Sequence, residues 1–280
     1  MDIGFLLANN PILQPEVFYI TKGEFVHWGA TAVVERLPSG AIIKSPVLGG
    51  SPAEMDIGRR KMQVELHVYR RIHEDYPDHP RIPKIIHWYP ATCCLSMEFL
   101  ENGNLAEFME RTPDCDISLD LRLRWAKHAA EALQVLHSLH IIHCDVVPRN
   151  FLVDSELNLK ICDLGGGSMN GIAPLAMADV RYLPPNYDMT ARPLLSDDLF
   201  SIGSLIYFIM TGKHPYEGRR KEWVQHLYDT GRFPDTANVI CGDVIKKCWN
   251  NEFETAQAIY DALPFRPNAS CMPQLVAETA

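Results

Sequence analysis

The chain has 280 residues, of which 47% are hydrophobic and 22% charged, a balance that suits a globular protein of one large domain or of two lobes around a cleft. Its formal charge of −9 argues against a nucleic-acid footprint, which needs a basic patch or stripe. No apolar run approaches the roughly 18 residues that span a bilayer, and Met1 to Ala8 lacks the basic start of a signal peptide, so a cytoplasmic protein without membrane insertion is expected. The eight cysteines show no zinc-site spacing, and Cys144, Cys162, Cys241 and Cys248 sit in apolar or motif stretches, so reduced and mostly buried thiols are expected.

Residues 1–15, with Asn9-Asn10-Pro11 and Pro15, read as a leading arm. Val17 to Ile20, Thr31 to Arg36 and Ala41 to Lys44 read as three short strands, with a Pro38-Ser39-Gly40 turn before the last, which predicts an antiparallel meander. Lys44 ends the third strand, where a lone lysine is usually solvated. Glu54 to His73 reads as a helix, with Met62, Leu66, Val68, Tyr69 and Ile72 at helical spacing. After Pro77, Pro80 and Pro83, two more strands are expected at Ile85 to Tyr89 and Cys93 to Leu100. Past the turn-like Glu101-Asn102-Gly103-Asn104 the chain changes from strands to helices, which marks a lobe boundary near residues 100 and 101.

Leu105 to Glu110 is a short helix and Leu119 to Leu139 a long amphipathic one, ending in a His-rich turn. His137, His140 and His143 invite a metal reading; helix-terminal roles are commoner for the first two. Then comes His143-x-Asp145 with Asn150 five residues beyond the Asp, a strand at Phe151 to Val153, a turn, and a strand ending in Asp163-Leu164-Gly165. Hard cations take oxygen ligands of this kind, one or two from side chains and the rest from substrate phosphates. That leaves Asp145 free to accept a proton from an attacking hydroxyl, the arrangement phosphoryl transfer requires. Asp and Asn also favour turns on their own account, but two such motifs joined by strand-turn-strand are harder to obtain by chance. Ser196 to Thr211 is an almost wholly apolar helix that should be buried, and helices near Glu222–Thr230, Val239–Asn250 and Phe253–Leu263 follow.

The two motifs resemble the catalytic and metal-binding loops of the protein kinase family, H-R-D-x4-N followed by D-F-G, with Cys144 for the Arg and Leu164 for the Phe. Thr211-Gly212-Lys213-His214-Pro215-Tyr216, Cys248-Trp249 and Arg266-Pro267 are similar to later motifs of that family, so the resemblance runs from about residue 17 to 267. Gly29-Ala30-Thr31, followed by a strand, a turn and Lys44-Ser45-Pro46, looks like a group of fungal protein-kinase-domain sequences. The resemblance implies an α+β, bilobal fold: a small antiparallel-sheet N-lobe with one main helix over 1–100, a hinge at about 97–103, and a larger, mostly helical C-lobe over 101–280.

The resemblance also implies ATP and Mg2+ as cofactors and a protein substrate. Asp145 would orient the acceptor hydroxyl, and Asn150 and Asp163 would hold the metal. Lys44 would reach the α- and β-phosphates, paired with Glu65; the rival Glu54 sits near the helix start, where a carboxylate suits the dipole anyway. Gly29 is the one survivor of the G-x-G-x-x-G loop, with His27 and Ala32 at the other two positions. Val34, Ile42, Met97 and Leu152 would line the nucleotide site, with the backbone of Glu98 and Leu100 on the adenine edge. His143 would pack against the Asp-Leu-Gly strand end, and Asp198 would tie down the catalytic loop. Val147 stands where many serine/threonine kinases carry a lysine, so Arg149 is expected to supply the positive charge that phosphoryl transfer needs.

Three departures carry further expectations. Cys144 removes the usual partner of an activation-loop phosphate, which implies little dependence on such phosphorylation. Asp179 stands where serine/threonine kinases carry a threonine and tyrosine kinases a proline, so that position singles out neither class; Ser/Thr is the working expectation. Asn186 replaces the glutamate that would pair with Arg266. Three functions are therefore weighed: an active protein kinase, a pseudokinase acting as a nucleotide-binding scaffold, and a small-molecule phosphotransferase of the aminoglycoside or choline type. The intact charged set favours the first, and the glycine of Asp-Leu-Gly disfavours the third.

Overall fold

The computed structural model describes residues 5–7, 17–19, 22–29, 31–47 and 51–264. Among the described residues, strands β1 (Phe5–Leu7) and β2 (Val17–Tyr19) pair only with each other, with Phe5 opposite Tyr19. The main sheet starts at β3 (Glu24–Trp28) and continues through β4 (Ala32–Arg36) and β5 (Ile42–Pro46). This corrects the expected meander: Val17–Tyr19 belongs to a separate ribbon, Ile20 lies outside the described residues, and Glu24–Trp28 takes its place. All five side chains of β3 are exposed, so its sequence has no apolar-polar alternation to reveal it.

Helix α1 (Pro52–Asp75) opens on Ser51-Pro52-Ala53-Glu54, a capping box preceding a hydrophobic stripe. The Ser51 side chain accepts from the Glu54 amide and the Glu54 carboxylate accepts from the Ser51 amide at 2.7 Å, so Glu54 is spent on the cap. The helix buries Met62, Glu65, Leu66, Val68, Tyr69 and Ile72. β6 (Ile85–Tyr89) and β7 (Cys94–Met97) then complete a five-stranded antiparallel sheet in the order β3-β4-β5-β7-β6. Its register sets Val34 opposite Lys44 and Ile42 opposite Met97. Because side chains alternate with period 2, these four residues share one face of the sheet.

Beyond Asn104 the chain is mainly helical: α2 (Leu105–Arg111), α3 (Leu119–Ser138), α4 (Leu195–Thr211), α5 (Lys221–Asp229), α6 (Gly242–Trp249) and α7 (Ala256–Ala262). Four short strands intervene between α3 and α4 in two pairs. β8 (Ile141–Ile142) joins β11 (Ser168–Met169), and β9 (Phe151–Val153) joins β10 (Leu159–Ile161). Helix α3 buries Leu123, Leu133 and Leu136, each worth about 1.5–3 kcal/mol on removal from water. Trp125 is fully buried and its indole donates to the Leu157 carbonyl at 2.8 Å, fixing α3 to the β9–β10 turn. Arg122, also buried, donates to the Ile209 carbonyl near the end of α4 and to Asp114.

Helix α4 is buried along most of its length, as its composition predicts, and ends at Gly212, whose φ of 70° suits a residue without Cβ. It lies against α6 so closely that a Cβ on Gly203 would sit 2.5 Å from the Cβ of Cys248; the Trp249 indole donates to Ser204 Oγ at 3.0 Å beside it. Arg266 and Pro267 lie outside the described residues, whereas the Asn186 amide donates to Asp229 at 2.7 Å. All seven cysteines among the described residues are free thiols, and no described helix is long and apolar enough to cross a membrane. Gly203→Ala is expected to cost about 1–3 kcal/mol through overpacking, read as a lower urea midpoint. An unchanged midpoint would contradict the α4–α6 contact.

Candidate active site between the sheet and the helical lobe

The loop after β8 is built on a buried carboxylate. Asp198, in the first turn of α4 and 1% exposed, accepts the backbone N–H of His143 at 2.7 Å and of Cys144 at 3.0 Å. Cys144 has φ 65°, a left-handed conformation that costs a non-glycine residue about 1–3 kcal/mol unless its surroundings fix it. Asp198 supplies that fixing. His143 accepts the Asp145 amide on Nδ1 at 3.2 Å, and its Nε2 lies 3.0 Å from the Cys162 carbonyl, which can only accept. It thus links the loop to the Asp-Leu-Gly strand. His137 lies in the last turn of α3, as expected, and also sets Nε2 3.0 Å from Asp198 Oδ2.

Pro148–Asn150 forms a 3₁₀ turn that folds Arg149 and Asn150 back onto Asp145. The Asn150 side-chain Nδ2 donates to the Asp145 backbone carbonyl at 2.8 Å and to its carboxylate at 2.9 Å. Arg149 Nη2 donates to both carboxylate oxygens, at 2.9 and 2.7 Å. This differs from the sequence expectation, in which Asp145 stood free and Arg149 reached toward a phosphate. The tight turn places the guanidinium within reach of the nearest buried negative charge, and the Arg149 side chain is itself half exposed. Beside it opens a cavity of about 460 Å³, lined among others by Val147, Pro148, Arg149, Asp179 and Tyr182. Asp179 is held there by Lys221 at 2.6 Å and Arg181 at 3.2 Å.

The β9–β10 hairpin returns the chain to the same place, with the Cys162 amide donating to the Asn150 carbonyl at 2.9 Å. Asp163 follows in left-handed geometry, φ 60° and ψ 48°. Lys44 Nζ lies 2.7 Å from Glu65 Oε2 and 2.8 Å from Asp163 Oδ1. Gly165 permits this convergence: a Cβ there would stand 2.6 Å from the Lys61 carbonyl and 3.2 Å from the Glu65 Cβ, pushing α1 away. Burial alone would draw the Lys44 ammonium down, but Asp163 and Glu65 more than reverse that and hold it charged. The same ammonium lowers the Asp163 carboxyl to about 2. Burial pushes Glu65 up while Lys44 opposes it, and with a held charge 2.7 Å away we take Glu65 as a carboxylate.

The remaining predicted residues fall around this cluster. Val34, Ile42 and Met97 share the sheet face of Lys44, and Gly29 closes the β3–β4 turn by donating to the Ala32 carbonyl at 2.8 Å. Leu152 lies on β9 opposite Lys160. The Glu98 amide donates to the Lys84 carbonyl at 3.0 Å, and the Leu100 carbonyl accepts from Gly103 at 3.1 Å. One residue escaped the sequence reading: buried Lys160 binds Glu98 at 2.6 Å, tying the strand before Asp163 to the segment after β7. Its signal was a lysine inside the apolar triplet Leu159-Lys160-Ile161, since buried lysines are almost always paired.

Because Asp163 titrates below the ordinary carboxyl value, its contribution to stability is complete above about pH 4 and is lost as pH falls toward 2. The stability difference between the natural chain and Asp163→Asn is therefore expected to stay flat from pH 7 to 5 and to shrink from pH 4 to 2. Urea unfolding at each pH measures it; a difference growing toward acid would contradict the Lys44 pairing.

Residues 51–261, well over half of the chain, match the family described as Protein kinase domain. That match begins after Lys44, so the place of Lys44 rests on its geometry. Among curated proteins, the chain is 29% identical over 173 residues to the probable serine/threonine-protein kinase PBL28 of Arabidopsis thaliana, covering 56% of this chain and 44% of that protein. It is 32% identical over 126 residues to a putative mitogen-activated protein kinase kinase kinase 7-like protein of Drosophila melanogaster, covering 44% and 32%. It is 27% identical over 176 residues to the dual specificity protein kinase shkC of Dictyostelium discoideum, covering 58% and 35%. The chain thus aligns with less than half the length of each of these relatives. The matched stretch carries Glu65, Asp145, Asn150, Asp163 and Asp198 in the arrangement just described, and the chain belongs to the protein kinase domain family.

Proposed function

We propose that this chain is an ATP-dependent protein kinase that passes the γ-phosphate to a protein hydroxyl, of serine or threonine. The observation that carries the reading is Lys44, held between Glu65 and Asp163 at 2.7 and 2.8 Å although the three lie far apart in sequence. In this reading Lys44 binds the α- and β-phosphates, and Glu65 keeps its ammonium in place. The Glu98 carbonyl and the Leu100 amide meet the adenine edge, since the other backbone groups of these residues are already bonded. Val34, Ile42, Met97 and Leu152 enclose the base, and Gly29 lets the β3–β4 turn approach the phosphates. The hinge at 97–103 and the division at residues 100 and 101 follow the end of β7 at Met97 and the start of α2 at Leu105. A cytoplasmic setting and a kinship with fungal sequences belong to the same proposal; the glycine-turn and Lys44-Ser45-Pro46 motifs support the second.

The donor set fits Mg2+. Asp163 has a half-exposed carboxylate, and Asn150 spends its Nδ2 on Asp145, which turns its carbonyl oxygen to other use. One carboxylate and one carboxamide are what Mg2+ takes from a protein when nucleotide phosphates supply the rest. Bound there, the ion would neutralise charge on the β- and γ-phosphate oxygens. Asp145 accepts the acceptor hydroxyl's proton on Oδ1, the oxygen held by Arg149 alone, so Arg149 must swing off it. Arg149 is then free to stabilise the transferring phosphoryl group.

A pseudokinase reading has one observation in its favour: Arg149 and Asn150 occupy both oxygens of Asp145. Radiolabelled-ATP transfer to a generic protein substrate separates the two. Asp145→Asn and Asp163→Ala are each expected to lower turnover at least 100-fold, about 2.7 kcal/mol in barrier terms. Asp145→Asn should keep the thermal shift produced by MgATP and Asp163→Ala should lose it. Binding by the natural chain without turnover would favour the pseudokinase.

Regulation follows from the segment after Asp163. Between Asp163 and Arg181 the only hydroxyl is Ser168, buried with its Oγ donating to the Ile172 carbonyl at 2.5 Å. Cys144 offers no charge for a phosphate, and burial pushes its thiol well above the ordinary value. Turnover is therefore expected to agree within about twofold before and after phosphatase treatment. A change of tenfold or more, about 1.4 kcal/mol in barrier, would overturn this expectation.

A further inference from the structure

Strand β3 carries an irregularity that sets the direction of one side chain. Glu24 and Phe25 lie opposite Arg36 and Glu35, whereas His27 and Trp28 lie opposite Val34 and Val33, so Val26 is an extra residue, a β-bulge. Continued without it, the first register would set Val26 opposite Val34 and turn His27 to the other face of the sheet. With it, His27 faces the same way as Val34, which in turn lies opposite Lys44 on β5. Three neighbouring strands therefore present His27, Val34 and Lys44 in one row, on the face from which Lys44 reaches Glu65 and Asp163. Two strand spacings, roughly 9–10 Å, separate the backbones at the ends of that row. Bulges recur beside active sites, where they re-aim a side chain.

His27 is exposed, and among the described residues its ring has no hydrogen-bond partner. The charged groups on its face are Lys44, held between Asp163 and Glu65, and the Glu24–Arg36 row beside it, in which Arg36 lies over the Phe99 ring. Glu35 alternates to the opposite face. We propose that His27 is a phosphate-binding residue of the nucleotide site: its ring donates an N–H to a phosphate oxygen of the nucleotide that Lys44 holds, most strongly when the ring is protonated. The family pattern has a glycine here, which brings backbone toward the phosphates, and this chain supplies a side-chain donor in its place. A hydrogen bond from an imidazolium to a phosphate is about twice as strong as a neutral one. The inference rests on the nucleotide reading of the cleft but asks nothing of turnover, so it holds for a kinase and a pseudokinase alike.

Imidazoles change charge between about pH 5 and 8, and an anion favours the protonated ring, so the contact strengthens as pH falls. Calorimetric titration of the full chain with MgATP, natural against His27→Gln, reads this at pH 6 and pH 8.5. The natural chain is expected to bind about tenfold tighter than His27→Gln at pH 6, about 1.4 kcal/mol, and within about twofold of it at pH 8.5. Taking the ratio at each pH cancels the titration of ATP and of every other group. His27→Lys, whose charge is fixed over this range, should bind MgATP tightly at both values. Adenosine, which has no phosphate, should show no difference among the three chains. A ratio that does not change with pH, or an adenosine affinity that falls along with that of MgATP in His27→Gln, would overturn the proposal and leave the nucleotide reading standing. No saturable binding of MgATP by the natural chain would overturn both.

Discussion

A single ammonium shared by two carboxylates holds the two halves of this molecule in register. Lys44 comes from the sheet, Glu65 from α1 and Asp163 from the strand end of the helical lobe, and all three meet within 2.8 Å of one nitrogen. One buried pair would be a doubtful bargain. At an effective dielectric of about 20 the Lys44–Glu65 attraction is roughly 6 kcal/mol, against a desolvation cost of several kcal/mol for each ion. The second carboxylate changes the balance, because one desolvated lysine then serves two partners. It also leaves the cluster net negative, with the Asp163 side chain half exposed.

Asp198 does for the backbone what Lys44 does for the charges. The catalytic loop holds a left-handed cysteine and a buried aspartate, neither of which is comfortable alone. The carboxylate of Asp198 caps the two amides that set the loop's path, and His143 passes that order on to Asp145 and to the strand before Asp163. Helix α4 supplies a rigid base, since it is buried along most of its length and pressed against α6 at Gly203. Two of the chain's departures from the family pattern fall within this framework and leave it intact. Cys144 still offers the amide that Asp198 binds, because that bond uses backbone. Leu164 fills a buried position, 1% exposed, as an apolar side chain can. Those changes spare the geometry.

Arg149 shows how folding redirects a charge that the sequence only locates. The sequence places a positive charge four residues after the candidate base, and the fold turns that charge onto the base itself. The guanidinium is half exposed, whereas the carboxylate it holds is buried. The Lys160–Glu98 pair likewise links the segment after β7 to the strand that delivers Asp163.

Much of this protein was legible along the chain. The His143-x-Asp145-x4-Asn150 and Asp163-Leu164-Gly165 spacings, the buried stripe of α1 and the apolar α4 are local patterns, and local patterns survive translation into structure. The spacings mark Asp145, Asn150 and Asp163, and the family resemblance adds Lys44, Glu65 and Asp198. The rest was set by residues distant in sequence. Strand β3 carries no alternation because its side chains are all exposed, so only its pairing with β4 identifies it. The Arg149 contact, the Lys160 pair and the place of His137 beneath Asp198 each depend on which charge the folded chain brings nearest. Composition and period determine which face of an element is buried; which buried charge meets which partner is decided only when the elements pack.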